Sequence, residues 1–369
     1  MNLHQIKLTQ FRNYQQETIS FHPKFTLLTG DNGAGKTSIL EAVYYLCIGK
    51  SCFASLDKQI ILHDMDFFRI EGRLIDQNDQ IQDIVIKNKL GQKKEILISN
   101  KKLTTLQDYV GKFPCVIIAP DDVYTLFETS ETRRNFINNT IVQSDSEYLS
   151  ALMQYTQLLK QRNALLKQIQ ERKYSEPLLL DTLTHQLEAS CVMIHHKRIE
   201  VIDALNPLFS RFYSVLSGGK ESAKIRYESQ LFHSEYKTLM QQNLDKDRIL
   251  GRTNAGIHKD DLLLLMDDKP IKLFGSQGQL KSFVLAIKLA QYAYLKTIKA
   301  DKPFLLLDDI FDKLDQTRVR QLLQILSGDG FGQVVITDTQ SERIVKILED
   351  IRQNYTIFVI EKGKAIGQT

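Results

Sequence analysis

One octapeptide limits this chain more than any other feature. Gly30-Asp31-Asn32-Gly33-Ala34-Gly35-Lys36-Thr37 has the spacing GxxxxGK[ST], and it stands between a short apolar run at 25–28 and an apolar helical pattern at 38–46. Strand, glycine turn and helix in that order form the context this spacing requires. The glycines let the backbone curl until several N–H groups point at one phosphate. The start of the helix adds partial positive charge. Lys36 is placed to reach the β- and γ-phosphates, and the Thr37 hydroxyl to hold Mg²⁺. The expected ligand is therefore Mg²⁺ with ATP, cradled by Gly30, Asp31, Asn32, Gly33, Ala34, Gly35, Lys36 and Thr37.

Two further motifs fit the same chemistry. Phe304-Leu305-Leu306-Leu307-Asp308-Asp309 reads as a buried strand that delivers two carboxylates to its C-terminal edge, where ligands bind in open α/β sheets. Asp308 is expected in the Mg²⁺ shell with Thr37. Asp309 is expected to polarise the attacking water as general base, with Lys36 as its catalytic partner. Ser276-Gln277-Gly278-Gln279 precedes a helical pattern at 280–299 and makes a second anion-binding turn from Ser276, Gly278 and Gln279. One subunit needs a single γ-phosphate cradle, so a second implies a nucleotide shared between two copies. Leu216-Ser217-Gly218-Gly219-Lys220 has a similar look but no long helix after it. It reads as a loop leaving a helical arm, which makes Ser276 rather than Ser217 the serine expected to matter.

The chain has 369 residues, 43% hydrophobic and 25% charged. That length suggests two or three domains, and that composition excludes a wholly disordered chain. Strand patterns at 3–11, 24–28, 67–74, 81–87, 95–99 and 115–119 give the N-terminal third an α/β character. Leu152, Leu159 and Leu166 then recur every seven residues, with Tyr155 and Ile169 three places behind and Arg162 interrupting the seam; Ser175-Glu176-Pro177 breaks the pattern. A second stripe runs through Leu180, Leu183, Leu187, Cys191, Ile194, Val201 and Leu205. These stripes predict a compact helical arm. After Pro207 the α/β signal returns, with strands at 223–227, 261–266, 303–307 and 333–337 and helices at 319–326 and 341–352. The expected fold is α/β: a P-loop NTPase head built from 1–125 and 213–369, with a short all-α helical arm, 126–212, inserted in it.

Forty-eight Lys and Arg against 44 Asp and Glu leave a net charge of +4, so any nucleic-acid surface must be a local patch. Candidates are Lys87, Lys89, Lys93, Lys94, Lys101, Lys102, Lys160 with Arg162, Arg172 with Lys173, and Lys197 with Arg198. Together they would contact phosphates without reading bases. No long apolar stretch or signal-peptide pattern occurs, so no membrane partner and a cytoplasmic location are expected. Cys47, Cys52, Cys115 and Cys191 form no metal or redox pattern and are read as reduced, mostly buried thiols.

The three motifs, in this order, resemble those of the ABC/SMC class of ATPases. Closer features resemble the RecF family of bacterial recombination mediators: the opening Leu8-Thr9-Gln10-Phe11-Arg12-Asn13-Tyr14, the Ser276-Gln277-Gly278-Gln279 signature, Asp308-Asp309 where other ABC enzymes usually carry Asp-Glu, Gly256-Ile257-His258-Lys259-Asp260-Asp261, Arg133-Arg134 and Gln161-Arg162-Asn163. Ile257 and Lys259 replace the family's usual Pro and Arg. The switch histidine of ABC transporters is absent after Ile336, where Thr337-Asp338-Thr339 stands, and the RecF family lacks it too. Pro120-Asp121-Asp122 occupies roughly the place of a Q-loop. The resemblance implies an ABC-type head, with Arg12 and Asn13 touching the nucleotide; His258 and Lys259 are separate candidates to face the phosphates or a dimer seam. It also implies an ATP-dependent homodimer that clamps DNA, gapped or duplex or at single-strand/double-strand junctions, without sequence preference. Such a protein is a weak, DNA-stimulated ATPase acting mainly as a switch in DNA repair, replication and the SOS response, working with RecO and RecR to load RecA. Three other readings compete: the ATPase subunit of an ABC transporter, a chromosome-organising SMC-like protein and a non-enzymatic ATP sensor. The missing histidine and the inserted arm count against the first, and the absence of long rods against the second.

Overall fold

The structure is a computed structural model that describes residues 1–76, 78–171, 177–219, 221–311 and 315–368. Arg172, Lys173, Ser175, Glu176 and Lys220 lie outside the described residues. The chain divides into two compact units: Met1–Val123, Val215–Gly218 and Val284–Thr369 form one, Tyr124–Ser214 and Gly219–Phe283 the other. In chain order the elements are β1 (Asn2–Phe11), β2 (Tyr14–Ser20), β3 (Phe25–Thr29), α1 (Lys36–Ile48), β4 (Phe67–Ile75), β5 (Ile81–Lys89), β6 (Glu95–Ile98), β7 (Lys101–Lys102) and β8 (Cys115–Ile118). There follow α2 (Asp122–Glu128), α3 (Ser130–Val142), α4 (Ser146–Gln170), α5 (Pro177–Ser217), β9 (Ala223–Glu228), α6 (Tyr236–Leu250), β10 (Asp261–Met266), β11 (Lys269–Pro270), α7 (Ile271–Phe274) and α8 (Gln277–Ile298). The chain ends with β12 (Phe304–Leu307), α9 (Gln316–Ser327), β13 (Val334–Asp338), α10 (Glu342–Asp350), β14 (Tyr355–Glu361) and β15 (Lys364–Gln368).

Among its described residues the first unit has two six-stranded sheets. One runs β2-β1-β4-β5-β6-β7 and is antiparallel. The other runs β15-β14-β3-β13-β12-β8 and is parallel except for its edge strand β15. Helix α1 packs against strands of both sheets and is buried along nearly its whole length, which explains its apolar sequence on every side. Strands β8, β12 and β13 are buried throughout, as parallel strands covered on both faces must be. In this unit the sequence pattern misses β2, β7, β14 and β15.

In the second unit, the described residues of 126–212 form helices and the turns between them. The buried stripe of α4 is Tyr148, Tyr155, Leu158, Arg162, Leu165 and Leu166. Of the expected seam, Tyr155 and Leu166 are buried while Leu152, Leu159 and Ile169 are half-buried, and Arg162 lies inside the buried stripe. Every residue of the second stripe is buried. Helix α5 does not end near Pro207: it passes through the proline to Ser217. A proline removes one helix hydrogen bond, and the rings of Phe209 and Tyr213, packed on Phe283, hold the helix beyond it. The unit also contains more than the expected insertion. Strands β9, β10 and β11 form a three-stranded antiparallel sheet, and α6 packs on α4, so Gly219–Phe283 belongs with the helices. One face of β9 alternates into this core, and that burial is what draws the segment in.

Two of the candidate DNA contacts are corrected here. The Arg162 side chain is wholly buried, with Nη1 donating to Asp247 Oδ2 at 2.7 Å and to Thr253 Oγ1 at 2.7 Å. Arg198 is as deeply enclosed, with Nη1 donating to Asp260 Oδ2 at 2.7 Å and to the Ile257 carbonyl at 2.8 Å. A guanidinium taken out of water must be paired, and both serve the core of this unit rather than its surface.

Candidate nucleotide-binding site

The phosphate loop joins β3 to α1, and its shape depends on glycine at two positions. Gly30 has φ +142° and Gly35 φ +118°, backbone that favours glycine. A side chain on Gly30 would collide with the Ile360 carbonyl, and one on Gly35 would come within 2.5 Å of Asn13 Nδ2. The segment after β1 braces the loop: Asn13 Nδ2 donates to the Ala34 carbonyl at 3.2 Å, and the Tyr14 hydroxyl to the Gly35 carbonyl at 3.1 Å. Lys36 is buried, with Nζ donating to the Gly30 carbonyl at 2.7 Å and the Asp31 carbonyl at 3.2 Å.

Arg12 also has a positive φ, +54°. Its guanidinium grips the buried Glu41 of α1, Nε to Oε2 at 2.6 Å and Nη2 to Oε1 at 2.8 Å, and donates from Nη1 to the Gln59 carbonyl at 2.9 Å. The Glu41 hydrogen bonds raise the Arg12 pKa. Glu41 also accepts the Ser51 hydroxyl.

The parallel sheet places β13 between β3 and β12, so the phosphate loop and the two acids emerge at the same edge. Thr37 Oγ1 donates to Asp308 Oδ1 at 2.9 Å. Burial lifts the Asp308 carboxyl above its ordinary pKa, while hydrogen bonds from Thr337 and Thr37 pull the other way. Asp309 has φ +41°, and its Oδ1 is buried with no hydrogen-bond partner among the described residues. A cavity of about 540 Å³ is lined by Arg12, Asn13, Asn32, Gly33, Gly35, Lys36, Thr37, Ser38 and Asp309, with Gln59, Ile61, Leu62 and His63 on a further wall. That wall was not foreseen; no motif marks it. A hydroxyl and a carboxylate oxygen side by side are hard donors that suit Mg²⁺, a cation that takes its remaining ligands from phosphates and water.

The second unit carries the other anticipated residues. Ser276 stands at the start of α8, where the Ser276 N–H donates to Gln279 Oε1 at 2.6 Å and the Gln279 N–H to Ser276 Oγ at 3.3 Å. This reciprocal pair is a capping box. Gln279 Nε2 also donates to Glu221 Oε1 at 2.6 Å. Ser276 is exposed, and Gly278 and Gln279 are half-buried. The Ser217-Gly218-Gly219 segment is instead the end of α5: Gly218 and Gly219 have positive φ, and the Gly219 N–H closes on the Ser214 carbonyl at 2.8 Å. The end of a helix carries partial negative charge and repels phosphate.

His258 hydrogen-bonds through Nδ1 to the Tyr155 hydroxyl at 2.7 Å and through Nε2 to the Thr253 carbonyl at 3.1 Å. Lys259 is exposed. Arg133 holds Asp261 through Nε at 2.7 Å and Nη2 at 2.9 Å, and Arg134 donates to the Asp260 carbonyl at 2.7 Å. Two of the segments quoted for the family resemblance thus bond to each other. In the first unit, Asp122 of the Pro120-Asp121-Asp122 turn is held by Lys288 Nζ at 2.8 Å. Cys47, Cys115 and Cys191 are buried and Cys52 half-buried, all unbridged.

Comparison with known proteins agrees with this architecture. The family model "RecF/RecN/SMC N terminal domain" matches residues 2–365. The DNA replication and repair protein RecF of Flavobacterium johnsoniae is 42% identical over 358 residues, covering 97% of this chain and 99% of that protein. RecF of Phocaeicola vulgatus is 39% identical over 365 residues, 99% and 98% of the two chains. Among solved structures, a recombination mediator protein RecF–ATP of the RecFOR pathway superposes with a TM-score of 0.88 at 26% identity, over 100% of this chain and 98% of that one. An Smc head bound to the C-terminal winged-helix domain of ScpA shares the fold at TM-score 0.58 and 14% identity, over 100% and 98% of the two chains. On the strength of motifs, fold and full-length similarity, the chain belongs to the RecF family, and its fold is that of an ABC-type ATPase head.

Proposed function

We propose that this chain is an ATP-gated DNA-binding switch of recombinational gap repair. Two copies close around two ATP molecules, each offering the Ser276 turn, with Gly278 and Gln279, to the nucleotide held by the other's phosphate loop. The loop Gly30–Thr37 holds the phosphates, and Arg12 and Asn13 support it and border the nucleotide. Thr37 and Asp308 would hold Mg²⁺, which when bound offsets charge on the phosphate oxygens. Asp309 orients and deprotonates the attacking water, and Lys36 stabilises the charge that develops on the γ-phosphate. The observation that carries this reading is one cavity lined by the glycine-shaped phosphate loop, Thr37 and Asp309, with Asp308 hydrogen-bonded to Thr37 and one Asp309 carboxylate oxygen without a partner among the described residues.

The relatives' description as DNA replication and repair proteins, and that of the solved RecF–ATP as a recombination mediator, support assigning the chain to the same work. The dimer clamps gapped or duplex DNA without reading sequence, hydrolyses ATP slowly and faster on DNA, and acts in the cytoplasm with RecO and RecR to load RecA. Sedimentation of the wild type and of Lys36→Met, with ATP and then with gapped DNA, tests this. An ATP-dependent dimer in the wild type alone is expected; a wild type that stays monomeric with bound ATP overturns the proposal. Single-turnover hydrolysis with and without duplex DNA separates the switch from a non-enzymatic sensor.

A further inference from the structure

Beside the two acids lies a hydroxyl with no part in the chemistry described so far. Thr337 is fully buried near the end of β13, between the strand that feeds the phosphate loop and the strand that feeds Asp308. The register pairs Leu307 with Ile336 and Leu28 with Thr337, so Thr337 stands where the β12 pairing has just ended and the acids begin. Its Oγ1 donates to Asp308 Oδ1 at 2.8 Å and accepts the Asp309 N–H at 2.9 Å. A hydroxyl has one proton to give and lone pairs to receive, and here both are used, one on each acid. Asp308 Oδ1 is thereby held from two sides, by Thr337 and by Thr37. The Asp309 amide is held while its backbone sits at φ +41°, a conformation that persists in a non-glycine residue only when the surroundings enforce it.

We propose that Thr337 is the positioning residue of the acid pair. A single oxygen sets the Asp308 carboxylate for the metal and fixes the left-handed backbone that directs the Asp309 carboxylate into the cavity. The inference rests on the reading of the site as an ATPase, and its test has one arm that does not.

Three proteins are compared: wild type, Thr337→Val, which keeps the branched shape and removes the hydroxyl, and Thr337→Ser, which keeps the hydroxyl and removes the methyl. In the nucleotide-free protein, hydrogen–deuterium exchange of a peptide spanning 307–311 rises in Thr337→Val and stays near wild type in Thr337→Ser. In hydrolysis assays, Thr337→Val loses roughly tenfold to a hundredfold in kcat, the fold-change of a lost hydrogen bond to a charged group. Its KM and its affinity for a fluorescent ATP analogue stay within about threefold, because the phosphate loop is untouched. Thr337→Ser keeps most of kcat, although losing a buried methyl lowers its melting temperature. The proposal is overturned if Thr337→Val matches wild type in both exchange and kcat, or if Thr337→Ser is as impaired as Thr337→Val, which would make the methyl's packing the cause. A wild type that neither binds nor hydrolyses ATP would sink the functional reading alone, since the exchange arm still decides the role of the hydroxyl.

Discussion

Asp309 has a backbone reason to be aspartate. Its φ of +41° lies in the left-handed region, which Asp tolerates better than longer side chains. Asp309→Asn should keep ATP binding and lose about a hundredfold or more in kcat, the range of a removed general base; nucleotide titration and single-turnover hydrolysis read the two quantities. Gly30→Ala should lower the melting temperature through a strain of roughly 1–3 kcal/mol and abolish nucleotide binding, because the new methyl strikes the Ile360 carbonyl. His258 bears on pH. Burial lowers its pKa to about 4, below the unfolded value near 6.5, so between those values the unfolded chain binds more protons and stability rises with pH. Denaturant titrations should show stability lost as pH falls from about 6.5 to about 4, by about 2 kcal/mol from this residue after allowing for its partial exposure, and less in His258→Asn. The glycines and Lys36 could be read from the sequence because their roles are local. Thr337 could not, because its meaning depends on a neighbouring strand that ends about thirty residues earlier.

At the scale of elements, two buried ion pairs hold the second unit together, Arg162 of α4 with Asp247 of α6 and Arg198 of α5 with Asp260 in the turn before β10. Breaking Arg162–Asp247 or Arg198–Asp260 from one side strands a charge in the core, and Asp247→Ala or Asp260→Ala should each cost about 3–5 kcal/mol, visible in chemical denaturation. Periodicity alone placed Arg162 as an interruption of an apolar seam. Its partner lies 85 residues away on α6, and no local pattern reports that. Helix α8 makes a different case: the sequence places a serine turn at its start and reads it as an anion site, and the structure shows the Ser276 and Gln279 side chains closing that turn as a capping box. Ser276→Ala should cost only about 1 kcal/mol as a lost cap. A loss of ATP-dependent association well beyond that, in sedimentation, would come from the proposed phosphate contact.

Taken as a whole, the molecule is nearly balanced in charge, so its proposed DNA binding rests on local clusters. Lys93, Lys101 and Lys160 are exposed, while Lys89, Lys94, Lys102 and Lys197 are paired with acids. DNA affinity should fall steeply as salt is raised, with a slope that reports the number of phosphates contacted; affinity indifferent to salt would count against a phosphate-binding groove. The sequence by itself determined the phosphate loop, the strand that carries the two acids, and most helices and strands of the α/β fold. Those features depend on neighbours a few residues apart, where spacing and apolar periodicity report the outcome directly. Tertiary structure alone decided that Gly219–Phe283 joins the helical unit, that α5 continues through Pro207, that two arginines are core residues, and that Thr337 joins Asp308 to Asp309. Each of these depends on burial and hydrogen bonding between segments distant along the chain, and such pairings leave no periodic trace in the residues that make them.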